Sequence, residues 1–171
     1  MKKKWGIENF YNLGKLLKKK FNNFKIIITG SKYESKENEI LEQKLKIEKI
    51  EVENLTGKLT FKEILNVINN SKWLISSDTS IAHLSALTLT NSVTIFLGGC
   101  YHYHTYPYQI NKYVIFPDLY CYPCKINDKC DKMECKNNVT PEKVFSIICG
   151  EKVKNSLKTI WKDNFIKLIW F

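Results

Sequence analysis

The seven residues Ser77-Asp78-Thr79-Ser80-Ile81-Ala82-His83 carry the densest chemistry in this chain. They join an apolar run, Trp73–Ser77, to a helical pattern over Ile81–Leu87, so Thr79 and Ser80 fall at the first turn of a helix. Backbone amides there lack intrahelical acceptors and carry the positive end of the helix dipole. With two hydroxyls beside them, they can hold a diphosphate. Asp78 is itself negative, and its role in this reading is to cap the helix and fix the loop. His83 lies about one turn further in. A plainer reading fits the same residues: Asp-Thr-Ser as a helix cap only, and His83 as a satisfied core histidine. Residue types and spacing leave both open.

A second strand end, Ser92–Phe96 followed by Gly98-Gly99, is also built for close approach of an anion to backbone. After it comes a Tyr- and His-rich segment, 101–108, in which His102 and His104 alternate. They read either as sugar contacts or as solvent-exposed loop residues. Cys121-x2-Cys124-x5-Cys130-x4-Cys135 then gathers four thiols, with Cys100 and Cys149 outside the group. Four thiolates can close a tetrahedral zinc site, and a reducing compartment argues against disulfides. The two pairs sit closer together than the roughly fifteen to twenty residues usual in zinc ribbons. Structural zinc and redox-variable thiols are therefore the two readings of the cluster.

The elements that must position these groups alternate between short apolar runs and helical patterns, which predicts an α/β fold with a parallel sheet. Ile7 to Lys20 has helical spacing, and Lys25–Gly30 reads as a buried strand. Asn38–Leu45 is expected as a helix and Ile47–Val52 as a strand. Thr60 with Glu63 forms a capping box for a helix through Asn70. Trp73–Ser77, Ser92–Phe96 and Tyr113–Phe116 supply further strands. Pro141 suits the first turn of a helix over Glu142–Ile148, capped by Thr140. The tail, Val153–Phe171, reads as a basic amphipathic helix carrying Trp161, Phe165, Ile169 and Trp170. Such a helix packs on its own domain, lies on a membrane or crosses to another domain.

The chain has 171 residues, the size of one ordinary domain, and its 44% hydrophobic and 26% charged content is that of a globular protein. A net charge of +10 suggests a polyanionic partner, but all 27 basic residues are Lys, and base readout favours Arg. Nucleic acid is not expected. No run approaches the ~18–20 apolar residues of a membrane span, and no signal peptide is visible, so a cytoplasmic location is expected.

Five segments fall in a telling order. They are Lys3-Lys4-Trp5, Gly30-Ser31 with Glu34, Asn54-Leu55-Thr56-Gly57-Lys58-Leu59-Thr60, Asp78-Thr79-Ser80-Ile81-Ala82-His83-Leu84-Ser85-Ala86, and Ile95-Phe96-Leu97-Gly98. In order and spacing they resemble the C-terminal domain of family 9 glycosyltransferases, which include ADP-heptose:lipopolysaccharide heptosyltransferases. The cysteine-rich loop at 121–135, followed by Thr140-Pro141-Glu142, is similar to that of many members. The resemblance implies a Rossmann-like three-layer α/β sandwich, the C-terminal half of a two-domain GT-B enzyme. Residues 1–171 would form one domain that binds a nucleotide-diphosphate sugar, ADP-heptose or similar.

It also implies a donor set. Lys3 would reach the phosphates, Glu34 the nucleoside, and Asp78, Thr79 and Ser80 the diphosphate region, with His83 and Gly98 beside them. Transfer would require no cofactor. The acceptor domain, with the catalytic carboxylate, would come from elsewhere, so the isolated chain would bind donor without turning it over. Lipopolysaccharide core or other surface glycan synthesis, with peripheral contact at the inner face of the inner membrane, follows from the same resemblance. Two other readings are a non-catalytic nucleotide-binding subunit or truncated remnant, and a zinc-stabilised interaction module.

Overall fold

Helix α1 spans Ile7–Lys20, as its spacing predicts, and buries Phe10, Leu13, Gly14 and Leu17 along one stripe. Glu8 in its first turn and Lys18, Lys19 and Lys20 in its last complement the helix dipole. The computed structural model describes residues 4–98, 102–107, 112–124, 130, 133–151 and 166–170. Strand β1 is Phe24–Ile28 and α2 is Ser35–Ile47. Helix α2 runs longer than expected and takes in Ile47. Lys49, at φ 57, then turns the chain back while Ile50 N–H bonds the Leu45 carbonyl. Strand β2 therefore starts late, at Glu51–Asn54.

Helix α3, Phe61–Asn69, opens on the expected box: Thr60 Oγ1 accepts from Glu63 N–H, and the Glu63 carboxylate accepts from Thr60 N–H. Strand β3 is Trp73–Ser77, and it leads into the five-residue α4, Ser80–Leu84, and a 3-10 turn, Ser85–Leu87. Strand β4 is Asn91–Ile95, α5 His102–Thr105, β5 Lys112–Ile115 and α6 Glu134–Asn138. Helix α7, Pro141–Ile148, is capped by Thr140 with Pro141 in its first turn, as read from the sequence.

The tail departs from expectation. Ile166–Trp170 is strand β6, so this part of the predicted helix over 153–171 is corrected to extended structure. Trp161 and Phe165 lie outside the described residues. The run Ile-Lys-Leu-Ile-Trp is rich in β-branched and aromatic residues, and so short a run satisfies a helical stripe and a buried strand equally well. Pairing decides between them: β6 has a strand on each side.

All pairs are parallel, in the order β2-β1-β6-β3-β4-β5. Helices α1, α2 and α7 cover one face, where the main core holds Trp5, Phe10, Leu13, Leu17, Leu41 and Leu45 against Ile26, Ile28 and Ile75. The other face carries α3 and α4 over a smaller cluster of Ile27, Ile68 and Leu74. Helices on both faces of a parallel sheet make the three-layer α/β sandwich that the sequence predicts.

Candidate functional site

Strands β1 and β3 send their chains to opposite faces, β1 toward α2 and β3 toward α4, so their carboxyl ends flank a topological switch point. A cavity of about 360 Å³ opens there. Ile7, Phe10, Ile28 and Leu41 form its apolar lining, and Lys4, Glu34, Glu37, Asn38, Asp78, Thr79 and Ser80 supply its polar groups.

Glu34 is held from three directions. Ser31 N–H and Ser31 Oγ both donate to its Oε2 at 2.8 Å, and Lys4 Nζ lies 2.9 Å from Oε1. Burial pushes this carboxyl up, but the bonds from Lys4 and Ser31 outweigh it and hold Glu34 below the usual carboxylate range. Lys4 also donates to Glu37 at 2.9 Å, and the two carboxylates keep its ammonium above the ordinary lysine value despite burial. Gly30 makes the approach possible, because a Cβ there would stand 3.0 Å from both Glu34 Oε2 and Asn38 Nδ2. Asn38 in turn donates to Thr56 Oγ1 at 2.8 Å and to the Thr29 carbonyl at 3.3 Å, tying the end of β1 to the loop after β2.

On the β3 side, Thr79 is the N-cap of α4, but its hydroxyl makes no capping bond. Thr79 and Ser80 are exposed at the cavity. Asp78 is not the cap that the sequence reading made it. Its N–H bonds the Ile95 carbonyl at 3.2 Å, and its carboxylate faces His83 Nε2 at 3.9 Å. His83 is half-exposed and outside the cavity lining, so it is not a core histidine.

The structure thus gathers Glu34, Asp78, Thr79 and Ser80 and leaves His83 and Gly98 apart. Gly98, at φ 81, does not line the cavity; its carbonyl accepts from Cys124 N–H at 3.1 Å. Lys3 lies outside the described residues, and it is Lys4 that reaches the cavity. Sequence reasoning also missed Glu37 and Asn38. A signal was present, since they stand three and four residues beyond Glu34 on one helical face.

His102 is not an exposed loop residue. It is buried and stacked on Phe116 at 3.8 Å between centroids, with Tyr122 OH 3.3 Å from its Nδ1, and burial lowers its pKa. His104 is exposed. Cys121, Cys124, Cys130, Cys135 and Cys149 stand as thiols, and burial raises the pKa of Cys135 and Cys149. Among the described residues no three His, Cys, Asp or Glu side chains are placed to hold a metal ion. The zinc expected on Cys121, Cys124, Cys130 and Cys135 therefore has no support there.

Residues 1–136 match the family described as glycosyltransferase family 9 (heptosyltransferase). The chain belongs to glycosyltransferase family 9. It is 36% identical over 124 residues to Lipooligosaccharide heptosyltransferase 2 of Campylobacter jejuni subsp. jejuni serotype O:2, a match covering 71% of this chain and 36% of that protein. In fold it is similar to the E. coli ADP-heptose lps heptosyltransferase II structure, with a TM-score of 0.66 and 16% identity over 84% of this chain and 40% of that one. This family 9 chain thus spans two fifths or less of the length of these relatives. Among its described residues no helix is long and apolar enough to cross a membrane.

Proposed function

We propose that this family 9 chain is the donor-binding half of a glycosyltransferase, holding a nucleotide-diphosphate sugar, ADP-heptose or a close relative, in the cavity between β1 and β3. The observation that carries this reading is the convergence of Glu34, Thr79 and Ser80 on one cavity at the switch point, the place where open parallel sheets bind ligands.

The charges divide the cavity into two ends. Among the described residues, three carboxylates, Glu34, Glu37 and Asp78, face a single ammonium, Lys4. Carboxylates suit hydroxyl-rich groups, so the ribose belongs on the Glu34 side, where Oε1 and Oε2 are already oriented. The diphosphate belongs at Thr79 and Ser80, with their hydroxyls and the first amides of α4 as donors. As the sugar leaves, the nucleoside diphosphate gains charge, and donors already in position stabilise it without reorganising. No cofactor is needed for that step. The acceptor and the catalytic carboxylate belong to an acceptor-binding half, and residues 1–171 supply the donor side of the reaction. The same reading sets the protein in the cytoplasm against the inner membrane, where a net charge of +10 favours anionic lipid.

Calorimetric titration with ADP, ADP-heptose, UDP and GDP tests the proposal. Selective binding of the adenine nucleotides is expected, weakened about tenfold by Thr79→Ala and by Glu34→Gln. Absence of binding to every nucleotide would overturn it.

A further inference from the structure

Helix α2 buries Leu41 and Leu45 on its inner face, and Asn38 continues the same stripe, the three residues standing at i, i+3 and i+7. An amide placed in an apolar stripe needs partners for its polar atoms. The donors of Asn38 have theirs. Nδ2 donates to Thr56 Oγ1 at 2.8 Å and to the Thr29 carbonyl at 3.3 Å. A carbonyl only accepts, so the atom facing Thr29 is the nitrogen, and the orientation of the amide is fixed. Oδ1 accepts from none of the described residues, and Asn38 lines the cavity.

We propose that Asn38 Oδ1 reads the base of the nucleotide: it accepts from the exocyclic amine of adenine and selects amino-purine over oxo-purine nucleotides. This rests on the donor reading above, which puts the diphosphate at Thr79 and Ser80 and the ribose at Glu34.

Strand order places the base. The sheet runs β2-β1-β6-β3, so a nucleotide with its diphosphate at the end of β3 and its ribose at Glu34, just past β1, extends its base toward β2. Asn38 stands on that side, because its bond to Thr56 joins α2 to the loop after β2. Ile28 at the end of β1 and Leu41 on the next turn of α2 offer apolar surface to the flat faces of a purine. Glu34 and Glu37 are charged and engaged by Lys4, whereas Asn38 presents a neutral acceptor in a set direction.

The ring edge then decides which base is held. Adenine presents an amine, a donor, where guanine and hypoxanthine present a carbonyl oxygen, an acceptor. Against an oxo-purine, Oδ1 would lose water and gain no bond. Turning the amide over does not help, since it would set Oδ1 against the Thr29 carbonyl. Space is also close, because a Cβ at Gly30 would stand 3.0 Å from Nδ2. A site whose polar group the wrong ligand leaves unpaired discriminates more strongly than one that only loses a contact.

Calorimetric titration of the chain with ADP and with inosine diphosphate, which carries a carbonyl in place of the amine, tests the proposal. Asn38→Ala and Asn38→Ser are titrated alongside, each checked for folding by thermal melt. Wild type is expected to bind ADP about tenfold more tightly or better, and both variants to bring the two affinities within about twofold. Equal affinities in wild type overturn the proposal and leave the donor reading standing, and so does a tenfold preference that survives both substitutions. A readout free of substitution is the side-chain amide signal of Asn38 in the wild-type NMR spectrum. It should move on addition of ADP, and a signal that ADP leaves in place overturns the proposal. Wild type that binds neither nucleotide overturns the donor reading, and the base reader with it.

Discussion

Trp5 Nε1 donates to the Val139 backbone carbonyl at 2.6 Å, a buried bond between residues 134 positions apart. It ties the entry of α1 to the segment before α7, while the indole packs edge-on against Phe10 with centroids 5.0 Å apart. Trp5→Phe keeps much of that packing and leaves a buried carbonyl unpaired. We expect a loss of about 1–3 kcal/mol, read as a lower urea midpoint at unchanged slope. Trp5→Ala adds a cavity and should cost about 3–5 kcal/mol.

Lys4 is the single ammonium of the cavity among the described residues and bridges Glu34 and Glu37. Glu34 titrates below its ordinary value in the folded state, so its pairing stabilises the fold above the unfolded carboxylate pKa and is lost as pH falls through the folded one. Lys4→Met should cost about 1 kcal/mol at neutral pH, in the range for partly exposed pairs. The melting-temperature gap to wild type should close on titration toward pH 3. A gap that persists unchanged into acid would show that the pair contributes nothing.

Gly57 adopts φ 68 in the turn after β2, and its N–H bonds the Gly30 carbonyl at 2.8 Å. A Cβ there would stand 2.7 Å from Lys32 Cγ and 3.2 Å from Lys32 Cα. Gly57→Ala therefore combines left-handed strain with a collision against the loop that carries Glu34. The expected cost is about 2 kcal/mol, or roughly 4–8 °C in Tm for a domain of this size. Nucleotide affinity, measured by calorimetry, should fall with it.

Lys112 is a buried lysine whose ammonium donates to the carbonyls of Thr88 and Thr90, and burial lowers its pKa to about 8. In the unfolded chain it titrates near the ordinary lysine value, ~10.4. Between those values the unfolded state holds more protons, so stability rises with pH across that window. Below about pH 8 the cost of burying the charge is fully present. Thermal melts from pH 7 to 10.5 should show wild type gaining on Lys112→Met. Parallel curves for the two proteins would rule this out.

Signals confined to a few turns of chain were fully legible in the sequence. The span of α1, the Thr60–Glu63 box, strand β3 and the Thr140-Pro141 start of α7 each depend on helical spacing, on one short apolar run or on one cap, and each formed as read. The order of five short segments pointed to the family that residues 1–136 match.

What the sequence by itself determined was therefore the class of fold, the family and part of the cavity lining: Glu34, Asp78, Thr79 and Ser80. Tertiary structure alone decided that Lys4 enters the cavity and Gly98 does not, that His102 is a buried stacking ring, and that Ile166–Trp170 is a central strand and no helix. The reason is range. Periodicity reports which side of an element is apolar, whereas strand order, cavity lining and burial depend on partners brought from more than a hundred residues away, such as Ile169 opposite Ile27 and Val139 opposite Trp5.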